Sequence, residues 1–256
     1  MTIDFPSGTP NWVDLGTTDL PAARAFYTGL FGWTVEDLGP DSGGYGMFRK
    51  DGKRVAGIGP ATDPTRGTSW SVYFATGSAD ATTARVESHG GKVIMAPMDV
   101  MDQGRMAVFQ DPTGAYFSVW QPGLHRGAEL VEAPGSLSWV ELSTTDIPAA
   151  KEFYEKVLGM STRDVDMGAG MTYTLLRVGD KNVAGAMPTG PDHAPMSSHW
   201  SVYFAVESRD SVAEKALELG ATEMLRDDMA AGRLAFLTDP QGGTFCIIEP
   251  NPDFSI

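Results

Sequence analysis

An internal repeat is the feature that most constrains how this chain folds, because two copies of one pattern must form two copies of one structure. Three segments of the first half return in the second half with few changes. They are NWVDLGTTDLPAARAFYTGLFGW at 11–33 and SWVELSTTDIPAAKEFYEKVLGM at 138–160, WSVYFA at 70–75 and again at 200–205, and GRMAVFQDPTGAYFSVWQP at 104–122 and GRLAFLTDPQGGTFCIIEP at 232–250. The offset stays between 127 and 130 positions, so we expect two halves of one fold that differ by short loop insertions.

The repeat also predicts where the chain divides. Its 256 residues are enough for two ordinary domains. Residues 123–135, GLHRGAELVEAPG, belong to neither copy, and their glycine and proline content is typical of a connector. We therefore predict a first domain over 1–122, a linker over 123–135 and a second domain over 136–256.

Each half itself divides into two smaller units of a strand, a helix and further strands. In the first unit Trp12–Thr17 alternates like a strand, Asp19 and Pro21 supply helix-start chemistry, and Gly32 ends the helix. Alternation and turn residues predict the remaining elements of the first half. They are strands at Tyr45–Phe48, Val55–Ile58, Trp70–Ala75, Val93–Ala96, Arg105–Phe109 and Ala115–Trp120, and a helix at Ala79–His89. The order βαβββ, taken four times, predicts the α+β class.

Charge and cysteine content exclude several classes of partner. The chain has 19 Lys and Arg against 33 Asp and Glu, a formal charge of −14. Such a surface repels nucleic acid and anionic lipid, so we expect neither as a partner.

Cys246 is the only cysteine, which excludes an intrachain disulfide. Residues 1–12 lack the features of a signal peptide and no apolar run is long enough to span a membrane, so we expect a cytoplasmic protein.

Two motifs in each half carry a family resemblance. The first is an aspartate before a helix that contains FY-x-x-x-(L/F)-G, and the second is G-R-x-A-x-x-x-D-P-x-G. The residues are Asp19, Phe26, Tyr27, Gly32, Gly104, Arg105, Asp111, Pro112 and Gly114, then Asp146, Phe153, Tyr154, Gly159, Gly232, Arg233, Asp239, Pro240 and Gly242. This pattern covers nearly the whole chain and resembles the vicinal-oxygen-chelate superfamily of glyoxalases, bleomycin-resistance proteins and dioxygenases.

The resemblance implies a particular architecture. Four βαβββ units would form two cup-shaped domains in tandem, each of them a pair of half-barrels. The linker and the repeated WSVYF strand more narrowly resemble tandem members of the mycobacterial CFP30B type. Most of the motif residues are expected to serve as caps, packing residues and hairpin turns, so they indicate the fold and not the chemistry.

The resemblance also implies where a metal would lie. Superfamily enzymes hold a divalent metal inside the cup with His, Glu or Gln side chains on the first strand of a unit, on its counterpart and on the last strand. The corresponding residues here are Trp12, Trp139, Ser71, Ser201, Ser118 and Cys246. An indole has no lone pair for a metal and a serine hydroxyl is a poor ligand, so we expect no metal and no cofactor.

Histidine leaves one alternative open. His89, His125, His193 and His199 show no ligand spacing to one another. His199 lies next to the second WSVYFA strand, and a shift of register by one residue would bring it into the cup as a metal ligand. Its first-half counterpart is Ser69, so such a site would not be duplicated.

Strand alternation predicts what lines the cups. Residues two apart on a strand share a face, so Asp14 lies on the side of Trp12 and Glu141 on the side of Trp139. The other predicted lining residues are Ser71, Tyr73, Tyr116, Ser118, Trp120, Ser201, Tyr203 and Cys246. Aromatic walls with a few polar groups are typical of small-molecule pockets.

Three functions are compatible with this pattern. The missing ligands and aromatic cups favour a metal-independent protein that binds a small aromatic or quinone-like metabolite or drug. The first alternative is a metal-free hydroxylase, isomerase or lyase of secondary metabolism, with Asp14 or Glu141 as base and Tyr73 or Tyr203 steadying an oxyanion. The second is a metal-dependent glyoxalase or dioxygenase. We expect a monomer or homodimer, and pairing of the units within or across halves stays open.

Overall fold

Each half of the chain contributes eight strands and two helices to the fold. The computed structural model describes residues 3–168, 170–189 and 197–254, and His193 lies outside them. The first half contains β1 (Pro10–Thr17), α1 (Leu20–Phe31), β2 (Thr34–Asp37), β3 (Gly46–Lys50), β4 (Lys53–Pro60), β5 (Ser69–Ala75), α2 (Ala79–Ser88), β6 (Lys92–Val100), β7 (Gly104–Gln110) and β8 (Tyr116–Pro122). The second contains β9 (Leu137–Thr144), α3 (Ile147–Leu158), β10 (Ser161–Asp166), β11 (Thr172–Val178), β12 (Lys181–Pro188), β13 (His199–Ala205), α4 (Arg209–Glu218), β14 (Thr222–Met229), β15 (Gly232–Thr238) and β16 (Thr244–Pro250).

The strands of each half form one mixed, open sheet. Its order is β2-β3-β4-β1-β5-β8-β7-β6 in the first half and β10-β11-β12-β9-β13-β16-β15-β14 in the second. The two βαβββ units of a half meet where β1 pairs antiparallel with β5, and β9 with β13. The α+β class and the four tandem units are therefore confirmed, and the units pair within a half.

Local sequence signals place the first helix as predicted. The Asp19 carboxylate accepts a hydrogen bond from the backbone N–H of Ala22 at 3.1 Å, and Gly32 ends the helix with a φ of 65°. A left-handed residue at that position is most easily a glycine. The strands β2 and β10 were not predicted individually, because each contains a single strongly apolar residue, Val35 or Val165, and so shows little alternation.

The halves share one core because each helix α1 and α3 packs on the sheet of the other half. Phe26 of α1 contacts Phe245 of β16, with ring centroids 6.1 Å apart, and Phe153 of α3 contacts Phe117 of β8 at 5.8 Å. This face of the sheets is apolar, as alternation predicts. The domain boundaries, 1–122 and 136–256 with a linker over 123–135, stay a prediction.

Two hydrogen bonds cross between the halves inside this core. The Tyr27 hydroxyl donates to Asp239 at 2.8 Å, and the Tyr154 hydroxyl donates to Asp111 at 2.9 Å. Each aspartate also holds its own hairpin turn, and Asp111, for example, accepts the backbone N–H of Ala115. The D-P-x-G aspartates thus serve the scaffold.

Candidate ligand site

The opposite face of each sheet carries the residues that alternation assigned to the cups. Strand register places Trp12 beside Tyr73, and Tyr73 beside Ser118. In the second half Trp139 lies beside Tyr203, and Tyr203 beside Cys246 in the same way. Asp14 pairs with Ser71 and Glu141 with Ser201. The predicted lining residues therefore converge at one place on each sheet.

Four side chains form a hydrogen-bonded cluster in the first cup. The Tyr73 hydroxyl donates to the Asp14 carboxylate at 2.9 Å, and the Trp12 indole N–H donates to the Tyr45 hydroxyl at 3.1 Å. Tyr45 also hydrogen-bonds Asp14. Gly57, the strand partner of Asp14, leaves room for this hydroxyl, because any Cβ there would overlap the Tyr45 ring.

The same cluster recurs in the second cup. The Trp139 indole N–H donates to the Tyr173 hydroxyl at 3.0 Å. Tyr173 then donates to one oxygen of Glu141 at 2.6 Å, and Tyr203 donates to the other oxygen at 2.8 Å. Gly185 leaves room for Tyr173 as Gly57 does for Tyr45. Sequence reasoning missed both Tyr45 and Tyr173, although the tyrosine and the facing glycine are identical in the two halves.

Burial sets the charge state of each cluster. Desolvation raises the pKa of Asp14 to about 6, with the hydrogen bonds from Tyr73 and Tyr45 opposing it. Desolvation also raises the pKa of Glu141, against the bonds from Tyr173 and Tyr203. Burial and the adjacent carboxylate raise the pKa of Tyr203 well above its usual value, so its hydroxyl remains a donor at neutral pH.

The residues at the family's metal positions do not fit a metal. The indole N–H groups of Trp12 and Trp139 point to tyrosine hydroxyls and have no lone pair to offer. The Cys246 thiol is fully buried, and desolvation followed by the nearby Glu141 raises its pKa. In the ranges 3–168, 170–189 and 197–254, no group of three or more His, Cys, Asp or Glu side chains is arranged to hold a cation.

His199 lies closer to the cup than its sequence position suggested. It opens β13 and precedes Ser201 and Tyr203 by two and four residues, so alternation places it on their side of the sheet without a register shift. Its Nδ1 contacts the Ser197 carbonyl at 2.9 Å, and its charge lowers the pKa of Glu141.

Segments from outside the strands close the first cup. Trp12 is 3% exposed and its ring lies edge-on to His125 of the linker, with centroids 4.5 Å apart. Trp120 donates its indole N–H to the His125 carbonyl at 2.8 Å, and the backbone N–H of Ala128 donates to the Asn11 carbonyl at 2.8 Å. Phe5 and other partly buried side chains complete the apolar cluster. The linker is thus part of the wall of the first cup.

The second cup is more open. Its apolar cluster consists, among the described residues, of strand residues alone: Tyr203, Leu234, Cys246, Trp139, Phe236 and Ile248. Trp139 is half-buried, whereas its counterpart Trp12 is buried. Ile248 stands where the first half has Trp120, so the larger ring that anchors the linker has no equivalent here.

Two further features lie outside the apolar clusters. Tyr116 shares a face of β8 with Ser118 and Trp120, and the Arg66 guanidinium lies over its ring, 3.5 Å from the centroid. That Tyr116 lines the first cup stays a prediction. A cleft of about 490 Å³ at the junction of the halves, lined by Phe31, Lys50 and Pro134 among others, is separate from both cups.

Comparison with known proteins agrees with this architecture. A family model described as the Glyoxalase/Bleomycin resistance protein/Dioxygenase superfamily matches residues 9–119, and a model described as a Glyoxalase-like domain matches residues 139–248. The chain belongs to this superfamily. The predicted resemblance is confirmed, including its tandem form.

Full-length relatives and solved structures extend the match. The chain is 45% identical over 261 residues to the anthracycline biosynthesis protein DnrV of Streptomyces peucetius, covering 96% of this chain and 94% of DnrV. It is 40% identical to CFP32 of Mycobacterium tuberculosis, covering 97% of both. The Mn(II)-bound glyoxalase of Novosphingobium aromaticivorans has 20% identity and a TM-score of 0.66, covering 95% of this chain and 82% of the other.

A dioxygenase shares the fold as well. The 2,3-dioxygenase LapB of Pseudomonas sp. KL28 has 16% identity and a TM-score of 0.65, over 98% of this chain and 96% of the enzyme. At such identities the likeness concerns the fold alone. No helix within the described residues is long and apolar enough to cross a membrane.

Proposed function

We propose that this superfamily member binds a small aromatic or quinone-like metabolite or drug, without a metal, in the cup of its second half. The observation that carries the proposal is the Glu141 carboxylate, held by Tyr173 and Tyr203 beneath the half-buried indole of Trp139. An apolar wall with one polar anchor suits a flat ligand, because the wall supplies contact area and the anchor supplies orientation.

The relatives support a ligand of this class. DnrV, and DauV of Streptomyces sp. (strain C5) at 44% identity, are both named for anthracycline biosynthesis, which is the chemistry of fused aromatic rings. The lack of fitting donors at Trp139, Ser201 and Cys246 supports metal-independent binding. Metal analysis of the purified protein is expected to find less than one tenth of an ion per chain at the cups; one tightly held Zn, Ni, Fe or Mn per cup would contradict it.

A second candidate function is proton transfer by Glu141. The raised pKa of this carboxyl makes its ionised form a stronger base than an exposed glutamate. Once Glu141 has taken up the proton, the hydroxyls of Tyr173 and Tyr203, which until then donate to its carboxylate, would turn to stabilise negative charge that develops on a substrate oxygen. Asp14 has the same chemistry in the first cup, where the linker packs on Trp12. A metal-free isomerase, lyase or hydroxylase of secondary metabolism is therefore the alternative to sequestration.

Binding of a planar probe tests the proposal. We expect 1,4-dihydroxyanthraquinone to bind saturably, as followed by quenching of tryptophan fluorescence, and Trp139→Ala to weaken this binding about tenfold or more through lost ring contact. Unchanged affinity in Trp139→Ala would contradict the site. Turnover separates the two candidates: product formation that Glu141→Gln abolishes at saturating substrate indicates an enzyme, whereas tight binding without product indicates sequestration.

A further inference from the structure

We infer that the ligand of the second cup is a neutral fused-ring phenol that is larger than the cup, with a hydroxyl directed at Glu141 and its outer ring lying across an apolar lip of Met167, Met171, Leu225 and Met229. This inference rests on the proposed function and specifies its ligand. Its basis is the hydrogen-bonding capacity left at Glu141, together with the side chains at the two ends of the second sheet.

The free hydrogen-bonding capacity of the cup is that of an acceptor. Both tyrosine hydroxyls, of Tyr173 and Tyr203, already donate to Glu141, one to each carboxylate oxygen. A carboxylate has about four lone-pair positions, so each oxygen retains one for a ligand. A ligand that brings an O–H donor can use these positions on Glu141, whereas a ligand with acceptors alone can bond only to other groups of the cup, such as the Ser201 hydroxyl.

Charge at the same position disfavours an anionic ligand. An acid group beside Glu141 would place two negative charges in apolar surroundings, where they interact strongly. The neighbouring His199 is half-buried, and its Nδ1 already contacts the Ser197 carbonyl. Tyr203, Leu234 and Ile248 provide hydrophobic surface around the carboxylate. A neutral phenol meets both requirements, because it donates a hydrogen bond and its ring packs on that surface.

At one edge of the second sheet, two methionines lie where the β10–β11 hairpin turns, beyond the cup residue Tyr173. Tyr173 faces the cup and pairs with Val165, so Met171, two residues before Tyr173, and Met167, two residues after Val165, lie on the same side. The backbone N–H of Met167 donates to the Met171 carbonyl at 2.9 Å, which continues the hairpin. Met171 is 49% exposed.

At the other edge of the second sheet, β14 also carries exposed apolar side chains beside the cup. Leu225 pairs with Phe236, and Met229 pairs with Gly232 two positions before the cup residue Leu234. Leu225 is 52% exposed and Met229 is 43% exposed. Asp227, which pairs with Leu234, is exposed on the same face between them. Exposed apolar side chains beside a cup favour a ligand that extends beyond it, and methionine adapts its shape to flat surfaces.

The first half separates the two ends of this lip. At the offset of 128 that relates Tyr45 to Tyr173, the counterparts of Met167 and Met171 are Gly39 and Gly43. At the β6 edge, by contrast, the first half also exposes an apolar side chain beside its cup, because Met98 is 46% exposed and pairs with Met106 of the first-cup cluster. The two methionines of the β10–β11 hairpin are therefore the part of the lip that distinguishes the second cup.

Three probes and two variants test the inference. The probes are the three-ring phenol 9-phenanthrol, the single-ring catechol and the anionic phenanthrene-9-carboxylate, each titrated calorimetrically. We expect one phenanthrol per chain, bound at least about tenfold more tightly than either other probe. Glu141→Gln should weaken both phenols about tenfold, since it removes the charge-assisted hydrogen bond. Met171→Ser/Met229→Ser should weaken the three-ring probe about fivefold and leave catechol unchanged.

Met101→Ser is the matched control, because Met101 is 66% exposed on the first half and outside the lip; it should bind as the wild type does. Equal affinity of the lip variant and the wild type for the three-ring probe would overturn the inference, as would tight binding of the carboxylate probe. A lip variant that loses self-association in light scattering, with affinity unchanged, would overturn it in favour of a contact between copies. Absence of saturable binding by either phenol would instead refute the proposed function itself.

Discussion

In the first cup Trp12 is 3% exposed and packed against His125 of the linker, whereas in the second cup Trp139 is half-buried and its apolar neighbours come from strands. The polar clusters beneath the two tryptophans are nevertheless the same, a carboxylate with two tyrosines. Strand register fixes the clusters, and the linker that follows β8 covers the first of them. Duplication thus conserved the chemistry of the cups and allowed their accessibility to diverge.

The two tryptophans provide the largest expected difference. Trp12→Ala should lower the free energy of unfolding by about 4 kcal/mol, because it leaves a cavity between Tyr73 and the linker. Trp139→Ala should cost about 2 kcal/mol, since part of that ring is already in water. Urea unfolding of both variants against the wild type measures the two losses. Equal losses would contradict the contrast between a closed and an open cup.

The raised pKa of Asp14 makes the stability of the protein depend on pH, and this effect should be intermediate in size. Its pKa is about 6 in the folded protein against 3.8 for the ordinary carboxyl, so ionisation is disfavoured in the native state. The stability contributed by the protonated form is complete below about pH 3.8 and is lost as the pH rises through 6. Between pH 4 and 7 the wild type should lose about 2 kcal/mol relative to Asp14→Asn, which cannot titrate.

Paired denaturant titrations at several pH values measure this difference, and changes common to both proteins cancel. Glu141→Gln should show a change of the same sign, because burial raises the pKa of Glu141 too. A stability difference between Asp14→Asn and the wild type that stays constant across this range would show that Asp14 is freely solvated.

His125 gives the smallest expected effect on stability. His125→Ala removes two edge-on ring contacts, to Trp12 at 4.5 Å and to Trp120 at 5.5 Å, and should cost about 1 kcal/mol. Tryptophan emission should also shift to longer wavelength as water enters the first cup. His89→Ala serves as the control, because His89 is exposed. An unshifted emission spectrum in His125→Ala would argue that the linker does not seal the cup.

Much of the fold could be predicted because repeat, cap and turn signals are local. Asp19 and Gly32 bound the first helix wherever the chain lies in space, and alternation alone placed Asp14 and Glu141 on the side of the tryptophans. Tyr45 and Tyr173 were within reach too, since each faces a repeated Val-Ala-Gly segment, at 55–57 and 183–185, whose glycine leaves room for a ring.

The closure of the first cup could not be predicted in the same way. Residues 123–135 have the composition of a connector, and nothing in that composition indicates that His125 and Ala128 dock on Trp12 and Asn11. Such docking depends on contacts between residues more than one hundred positions apart. The contact between the Arg66 guanidinium and the Tyr116 ring could not be predicted for a related reason, because the position of Arg66 follows from a loop and not from a strand.

The hydrogen bonds between the halves, from Tyr27 to Asp239 and from Tyr154 to Asp111, bear on how the repeat evolved. Each copy supplies a phenol that donates to the other copy's hairpin, so each half completes the core of the other. A single-copy ancestor would have had to dimerise to satisfy the same aspartate, and fusion made that encounter intramolecular. Once the partner was tethered, one binding cup could be given up to secure the tether while the other kept its opening.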